Sequence, residues 1–230
     1  NQQSGVLDDS GAMSIEVNPA LDMDGSARLY RFEATVTGAD NQQVSSVTEV
    51  AALPAFTLGM KLPRFMEKAG DIGPKIIATG VDDKALAGKR ITVKLFRRSW
   101  HSHLRETQFS TGEANYVTEQ EDTLVLEKSV VTKAKPLAVP LPVKTSGVYV
   151  VELVARDKLG RVQTLKADLF VGGKEGVSWR KSQHGVFDLS TDKRHYAPGE
   201  TAQLLVKSPF TSGEALVITE MPGGNTYRWV

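Results

Sequence analysis

Apolar and polar residues alternate along this chain in short runs. A period of two marks strands that bury one face. The cleanest run is Tyr30, Phe32, Ala34 and Val36, separated by Arg31, Glu33 and Thr35. Residues 37–41 (TGADN) predict a hairpin turn, and Gln43 to Val50 a return strand. Before it, residues 1–12 are polar with glycine and read as a frayed or linking segment. Met13, Ile15 and Val17 alternate with Ser14 and Glu16, a short strand closed by Asn18-Pro19, and Met23-Asp24-Gly25 reads as a turn. Further on, residues 56–62, Lys75 to Ala78, Ile91 to Leu95, Leu124 to Val131, Tyr149 to Ala155 and Val162 to Val171 predict strands. The glycine-rich residues 69–74 and the loop 81–88 separate the first of these, and residues 157–160 (DKLG) turn the last pair. Pro136, Pro140 and Pro142 punctuate an extended segment that belongs at a sheet edge, because proline has no N–H for a ladder. Arg97 to Tyr116 is the longest polar stretch, and its length predicts a protruding ordered loop or ragged strands rather than a tight turn.

The stretch from Tyr196 to Glu220 compresses the same grammar. Pro198 fixes its own φ, and Gly199 tolerates the positive φ of a type II turn. Ala202, Leu204 and Val206 are expected on the buried face of the next strand, with Gln203, Leu205 and Lys207 opposite. Ser208-Pro209 ends it, Gly213 turns the chain, and Leu216-Val217-Ile218 forms another strand.

The expected fold class is therefore all-β, with tandem antiparallel β-sandwich domains of fibronectin or immunoglobulin type. Ala52 to Pro54 reads as a joint, and Gly172 to Gly176 (GGKEG) as a linker by composition. These divide the chain into 1–54, 55–176 and 177–230. A sandwich needs roughly seven strands. Only the middle unit has enough, so the first reads as the C-terminal part of a sandwich and the third as the N-terminal part of another. Incomplete units flanking a complete one suggest a piece excised from a longer multidomain protein. Phe56-Thr57-Leu58 and Phe187-Asp188-Leu189 open the second and third units, and residues 148–162 echo 29–44, as in a tandem array. Phe56 and Trp179 are the residues expected at the interdomain joints.

With 28 Lys and Arg against 27 Asp and Glu, the near-zero net charge gives no case for a nucleic-acid partner. No apolar run approaches the ~20 residues of a membrane-spanning helix. No signal peptide opens the chain at Asn1. The absence of cysteine removes thiolate zinc sites, cysteine nucleophiles, disulfides and an internal thioester from within these residues.

Candidate chemistry is sparse. His101 and His103, spaced i, i+2, share one face of a strand, a geometry that can chelate zinc or copper. Glu106 and Glu113 are the nearest candidates for a third ligand, and exposed loop residues are the plainer reading, so no metal is assigned. His184 and His195 are isolated. The pairs Asp8-Asp9 and Asp82-Asp83 do not extend into a calcium loop. Neither a G-x-S-x-G elbow nor a phosphate loop occurs. Glu119, Glu121 and Asp122 are paired acids without the fixed separation across a cleft that a glycosidase needs. No cofactor and no catalytic constellation is expected, so the chain does not read as an enzyme. Trp100, between arginines and histidines, is the one candidate for an exposed contact, with His101 and His103 beside it.

The run Tyr196-Ala-Pro-Gly-Glu-Thr-Ala-Gln-Leu-Leu-Val-Lys-Ser-Pro-Phe, followed by Ala215-Leu-Val-Ile-Thr-Glu, resembles the bacterial alpha-2-macroglobulins. There a Y-x-P-G-[ED]-x-A-x-L-x-[VI]-x-S-P-F stretch and A-L-V-T-x-E open the domain that carries the bait region. Ile218, between Val217 and Thr219, departs from that pattern. Residues 86–95, Arg98-Ser-Trp, residues 147–152 and Asp157-Lys-Leu-Gly-Arg resemble the preceding macroglobulin-like domain. The resemblance is strong over 75–230 and weak over 1–54, and its motifs are scaffold motifs. It implies three macroglobulin-like units and a parent that inhibits proteases. A protease of host or competitor cuts the bait, the molecule rearranges, and the protease is caged or linked through a thioester. It also implies proteases and neighbouring macroglobulin-like domains as partners, envelope or cell-wall synthesis proteins beside them, and a periplasmic, inner-membrane-anchored parent serving bacterial defence. The rival expectation is a surface adhesion or carbohydrate-binding array with Trp100, His101, His103 and Tyr116 as its platform.

Overall fold

The computed structural model of the chain describes residues 2–16, 25–104, 116–173, 188–208 and 213–230, with side chains left aside at 102–104 and 116–118. Strands and no helix occur among the described residues. In chain order they are β1 (Arg28–Thr37), β2 (Gln43–Ala52), β3 (Thr57–Lys61), β4 (Phe65–Met66), β5 (Lys75–Thr79), β6 (Arg90–Leu104) and β7 (Tyr116–Val131). They continue with β8 (Leu137–Ala138), β9 (Gly147–Arg156), β10 (Val162–Val171), β11 (Leu189–Thr191), β12 (Leu204–Val206), β13 (Leu216–Met221) and β14 (Gly224–Trp229). The chain divides into two compact units: Asn1–Ala55 with Arg156–Gln163, and Phe56–Ala155 with Thr164–Val230.

In the first unit β1 and β2 pair antiparallel in unbroken register from Arg28↔Ala52 to Thr37↔Gln43. Residues 38–42 turn them. Gly38 N donates to Gln42 O at 2.8 Å, and Asn41 takes the left-handed conformation at φ 63°, which asparagine tolerates better than most residues. Tyr30, Phe32, Ala34 and Val36 share one face, as their alternation predicts, with Val50 and Val44 opposite the outer two. The expected strand at Met13 to Val17 is not formed over residues 13–16, and Val17 lies outside the described residues. The backbone just before it bonds to itself instead: Asp8 N donates to Ala12 O, and Asp8 Oδ1 accepts from the amides of Ser10 and Ala12.

The second unit contains the sandwich. One layer is the sheet β4-β10-β9-β6-β7, the other the sheet β3-β5-β8. β3–β5, β5–β8, β6–β7 and β6–β9 pair antiparallel, and β4 runs parallel to β10 at Phe65 and Met66. Period two sorts the side chains. Ile76 and Ala78 of β5, Ile91, Val93 and Leu95 of β6, and Val151, Leu153 and Ala155 of β9 meet in one buried core. Residues 137–143 follow the same rule. Leu137, Val139, Leu141 and Val143 point inward while Pro136, Pro140 and Pro142 face solvent, with β8 at the edge of its sheet. An edge is where prolines do not interrupt a ladder. Burying side chains such as Leu153 and Ile91 contributes about 1.5–3 kcal/mol each.

The opposite face of the larger sheet carries a charge row. Lys166 of β10 reaches Glu152 of β9 at 2.5 Å, Glu152 sits opposite Lys94 of β6, and Lys94 lies 3.8 Å from Glu127 of β7. Alternating signs across four strands let Glu152 be buried without being unpaired. Tyr149 fastens the start of β9. Its hydroxyl donates to Thr145 O at 2.9 Å, four residues upstream, a tyrosine corner of the kind seen in immunoglobulin-like sandwiches.

Beyond the sandwich, β11 pairs with β12 and β13 with β14, each as a two-stranded antiparallel sheet. Here the expected faces of β12 are reversed. Leu205 is the half-buried residue, while Leu204 and Val206 are exposed. A strand this short has no second layer over it among the described residues, so its alternation does not report an inside.

Candidate functional site

Two places gather polar side chains into defined geometry. The first joins the sandwich to β11 and β12 within the second unit. Arg64 and Glu67 flank β4, whose backbone is pinned by the parallel pairing with β10 and by Gly172 N donating to Met66 O at 2.7 Å. Gly172 is required there, since a Cβ would stand 2.5 Å from Glu67 O. From this support Arg64 Nη1 donates to Thr191 Oγ1 at 3.0 Å and to Lys193 O at 3.2 Å. Gln203 Nε2 donates to Glu67 Oε1 at 2.6 Å.

The far side of this junction is the turn that organises the C-terminal part of the chain. Asp192 Oδ1 accepts from the Tyr196 hydroxyl at 2.7 Å and from Gln203 N at 2.9 Å. These bonds, the tyrosine's first, hold the Asp192 carboxyl below the usual carboxylate range. Glu200 closes the turn by accepting from Ala197 N at 3.0 Å and pairing with Lys193 Nζ at 3.0 Å. Gly199 sits at φ 86°, the positive φ expected of it. The motif residues Tyr196, Gly199 and Glu200 are thus turn chemistry that presents Thr191, Lys193 and Gln203 to Arg64 and Glu67.

The second place is the distal half of the β6–β7 hairpin. β9 accompanies β6 only to Arg98, whereas β7 continues opposite it to Leu104. The polar stretch from Arg97 therefore continues as a two-stranded ribbon as far as Leu104, with the register shifted between Leu95 and Phe96. A bulge of this kind increases local twist where a ribbon leaves its sheet. Arg98 clamps Asp122 through both oxygens, Nε–Oδ1 at 2.7 Å and Nη2–Oδ2 at 2.8 Å. The Arg98 bond holds the Asp122 carboxyl below its ordinary 3.8.

The residues singled out from sequence are scattered over these elements. Phe56 is the first residue of the second unit, and its ring lies in the sandwich core at 1% exposure with Lys89 Nζ 5.4 Å from its centroid. Trp179 and His184 lie outside the described residues, as do Glu106 and Glu113. Trp100 is half-buried on the ribbon, opposite Gln120. His101 is exposed, its Nε2 3.6 Å from Glu121 Oε2. His103 is a strand residue opposite Val117, and Tyr116 is opposite Leu104; only their backbone is described. Among the described residues no three His, Asp or Glu gather into a metal-holding group. Arg64 and Glu67 were not legible in the sequence. A solvent-facing Arg and Glu in a loop carry no pattern, and their partners are 127 to 136 residues away.

No protein-family model matches the chain. It is 26% identical over 215 residues to an alpha-2-macroglobulin homolog of Nostoc sp., covering 93% of this chain and 11% of that protein. Among solved structures it is similar to the native conformation of Escherichia coli alpha-2-macroglobulin, at 18% identity and a TM-score of 0.47, over 97% of this chain and 15% of that one. It is also similar to Salmonella alpha-2-macroglobulin reacted with methylamine, at 18% identity and a TM-score of 0.45, over 90% of this chain and 14% of that one. The chain thus spans a small part of the length of each protein it matches. The sequence match extends over nearly all of its own residues, so the chain is similar along its length to an alpha-2-macroglobulin homolog.

Proposed function

We propose that residues 1–230 are part of the frame of a bacterial alpha-2-macroglobulin-type protease trap. The observation that carries this reading is the sequence match to an alpha-2-macroglobulin homolog over 93% of the chain. In such a trap the protease is the partner that cuts, and the domains around the cut segment do the work of enclosing it. The frame needs stiffness, which a sandwich core packed at the density of a crystal supplies. It also needs junctions that reorient at modest cost. Catalytic groups and cofactors have no part in this role. A thioester, where the whole protein has one, would be formed by residues other than these, since none of the 230 is cysteine. The proposed setting is the bacterial periplasm, with the whole protein anchored at the inner membrane beside other envelope proteins, and proteases of a host or competitor as its targets.

The carbohydrate-binding reading required an exposed aromatic platform. Trp100 is half-buried, and no observation favours that reading over the trap.

Steric enclosure gives the test. The full-length protein is incubated with a broad-specificity protease, and the protease is then assayed on a small peptide and on a folded protein substrate. A trap leaves peptide hydrolysis in place and suppresses hydrolysis of the protein substrate. Equal activity on both, with and without the trap, would contradict the proposal.

A further inference from the structure

We propose that Arg64 and Glu67 form a two-point clasp that holds the β11–β12 hairpin on the sandwich, and that this clasp is a release point about which the hairpin can swing. The inference stands whether or not the whole protein traps proteases.

Three observations carry it. The support is rigid. Arg64 and Glu67 flank β4, which is tied to β10 by parallel pairing and by the Gly172–Met66 backbone bond, with no room for a Cβ at Gly172. The gripped element is rigid too. Asp192 N donates to Gln203 O at 3.1 Å, and the Asp192 carboxylate collects Tyr196 and the Gln203 amide, so β11, its turn and β12 move as one piece. Between support and hairpin the bonds are polar and exposed: Arg64 to Thr191 and Lys193, and Gln203 to Glu67. Among the described residues, the hydrophobic side chains of the sandwich core and those packed against it end at Val171, Leu205 is only half-buried, and Leu189 and Leu204 stay 61% and 52% exposed. An attachment made of solvated hydrogen bonds is the kind that opens under a small load, because water replaces each bond at little net cost. Arg64 and Glu67 reach both ends of the gripped turn, so losing both contacts loosens the hairpin more than losing either one.

Residues 1–230 hold no cysteine, and any thiol elsewhere in the full-length polypeptide is replaced before labelling. Lys135→Cys on the sandwich and Arg194→Cys on the hairpin turn are both at exposed positions, and in a full-length polypeptide with no other reactive thiol they give a unique spin-label pair. The distance between the labels is measured by pulsed electron spin resonance. The expected result is one narrow distribution with Arg64 and Glu67 present. Arg64→Ala with Glu67→Ala should lower the clasped-to-released ratio about ten- to a hundredfold. Each single variant should fall between, and Glu67→Gln, which keeps an acceptor for Gln203, should stay near the starting distribution. An unchanged narrow distribution in the double variant would overturn the proposal. Should the double variant lose its fold, Thr191→Val with Gln203→Ala removes the Arg64–Thr191 and Glu67–Gln203 bonds from the hairpin side and leaves Arg64 on Lys193 O; the ratio should then fall at least as far as in Glu67→Ala, and an unchanged narrow distribution would overturn the proposal.

Discussion

At the scale of single residues, the structure rests on side chains that satisfy backbone groups at strand ends. Tyr149 is 2% exposed, and its hydroxyl serves the carbonyl of Thr145 while its ring fills the core. Tyr149→Phe keeps the ring and removes the bond, so it should cost about 1 kcal/mol in urea denaturation. An unchanged midpoint would show that the hydroxyl contributes nothing. Asp122 makes a different prediction. Its folded value lies below 3.8 because Arg98 bonds the charged form. Its contribution to stability is therefore complete above the unfolded value and is lost as the pH falls through the folded one. Wild type should lose more stability than Asp122→Asn does as the pH is lowered from neutrality through that range. Denaturant midpoints at neutral and acidic pH measure this, and equal losses would contradict the role given to the pair.

At the scale of elements, the sandwich separates residues that matter for stability from residues that look alike in the sequence. Leu153 of β9 is fully buried, and Leu153→Ala should cost about 2–5 kcal/mol. Leu204 of β12 is 52% exposed, and Leu204→Ala should stay within about 0.5 kcal/mol. Thermal or urea unfolding of the two variants checks both, and comparable losses would mean that β12 is packed more tightly than its exposure says. The same pair marks where a buried face is legible in the sequence. Ile91, Val93 and Leu95, and Val151, Leu153 and Ala155, declare their inward face because a second sheet lies over them. Leu204 and Val206 carry the same alternation but have no such layer, so their predicted inward face was the wrong one. The prolines at 136, 140 and 142 marked a true edge, since a missing N–H is tolerated there. Arg97 to Leu104, polar enough to read as a protruding loop or as ragged strands, pairs as strand with β7. A ribbon outside the sandwich has no core to demand apolar residues. The clasp residues left no trace in the sequence, because hydrogen-bonding partners far apart in the chain have no period.

At the scale of the whole molecule, a stiff sandwich carries strands bonded to it by exposed polar groups, in a chain similar to an alpha-2-macroglobulin homolog over 93% of its length. In the proposed trap, the frame transmits movement through its junctions and keeps its cores intact. The sandwich should therefore keep its hydrogen-exchange protection while the clasped hairpin changes its own. The trap proposal requires that one cut elsewhere in the polypeptide change the shape of the whole. The measurement that tests this most directly follows the full-length protein by small-angle scattering during digestion with a broad-specificity protease, with the cleavage sites mapped in parallel. A trap predicts early cleavage within one exposed segment outside residues 1–230, together with a fall in the radius of gyration. Cleavage scattered along the chain, with no change in shape, would contradict it.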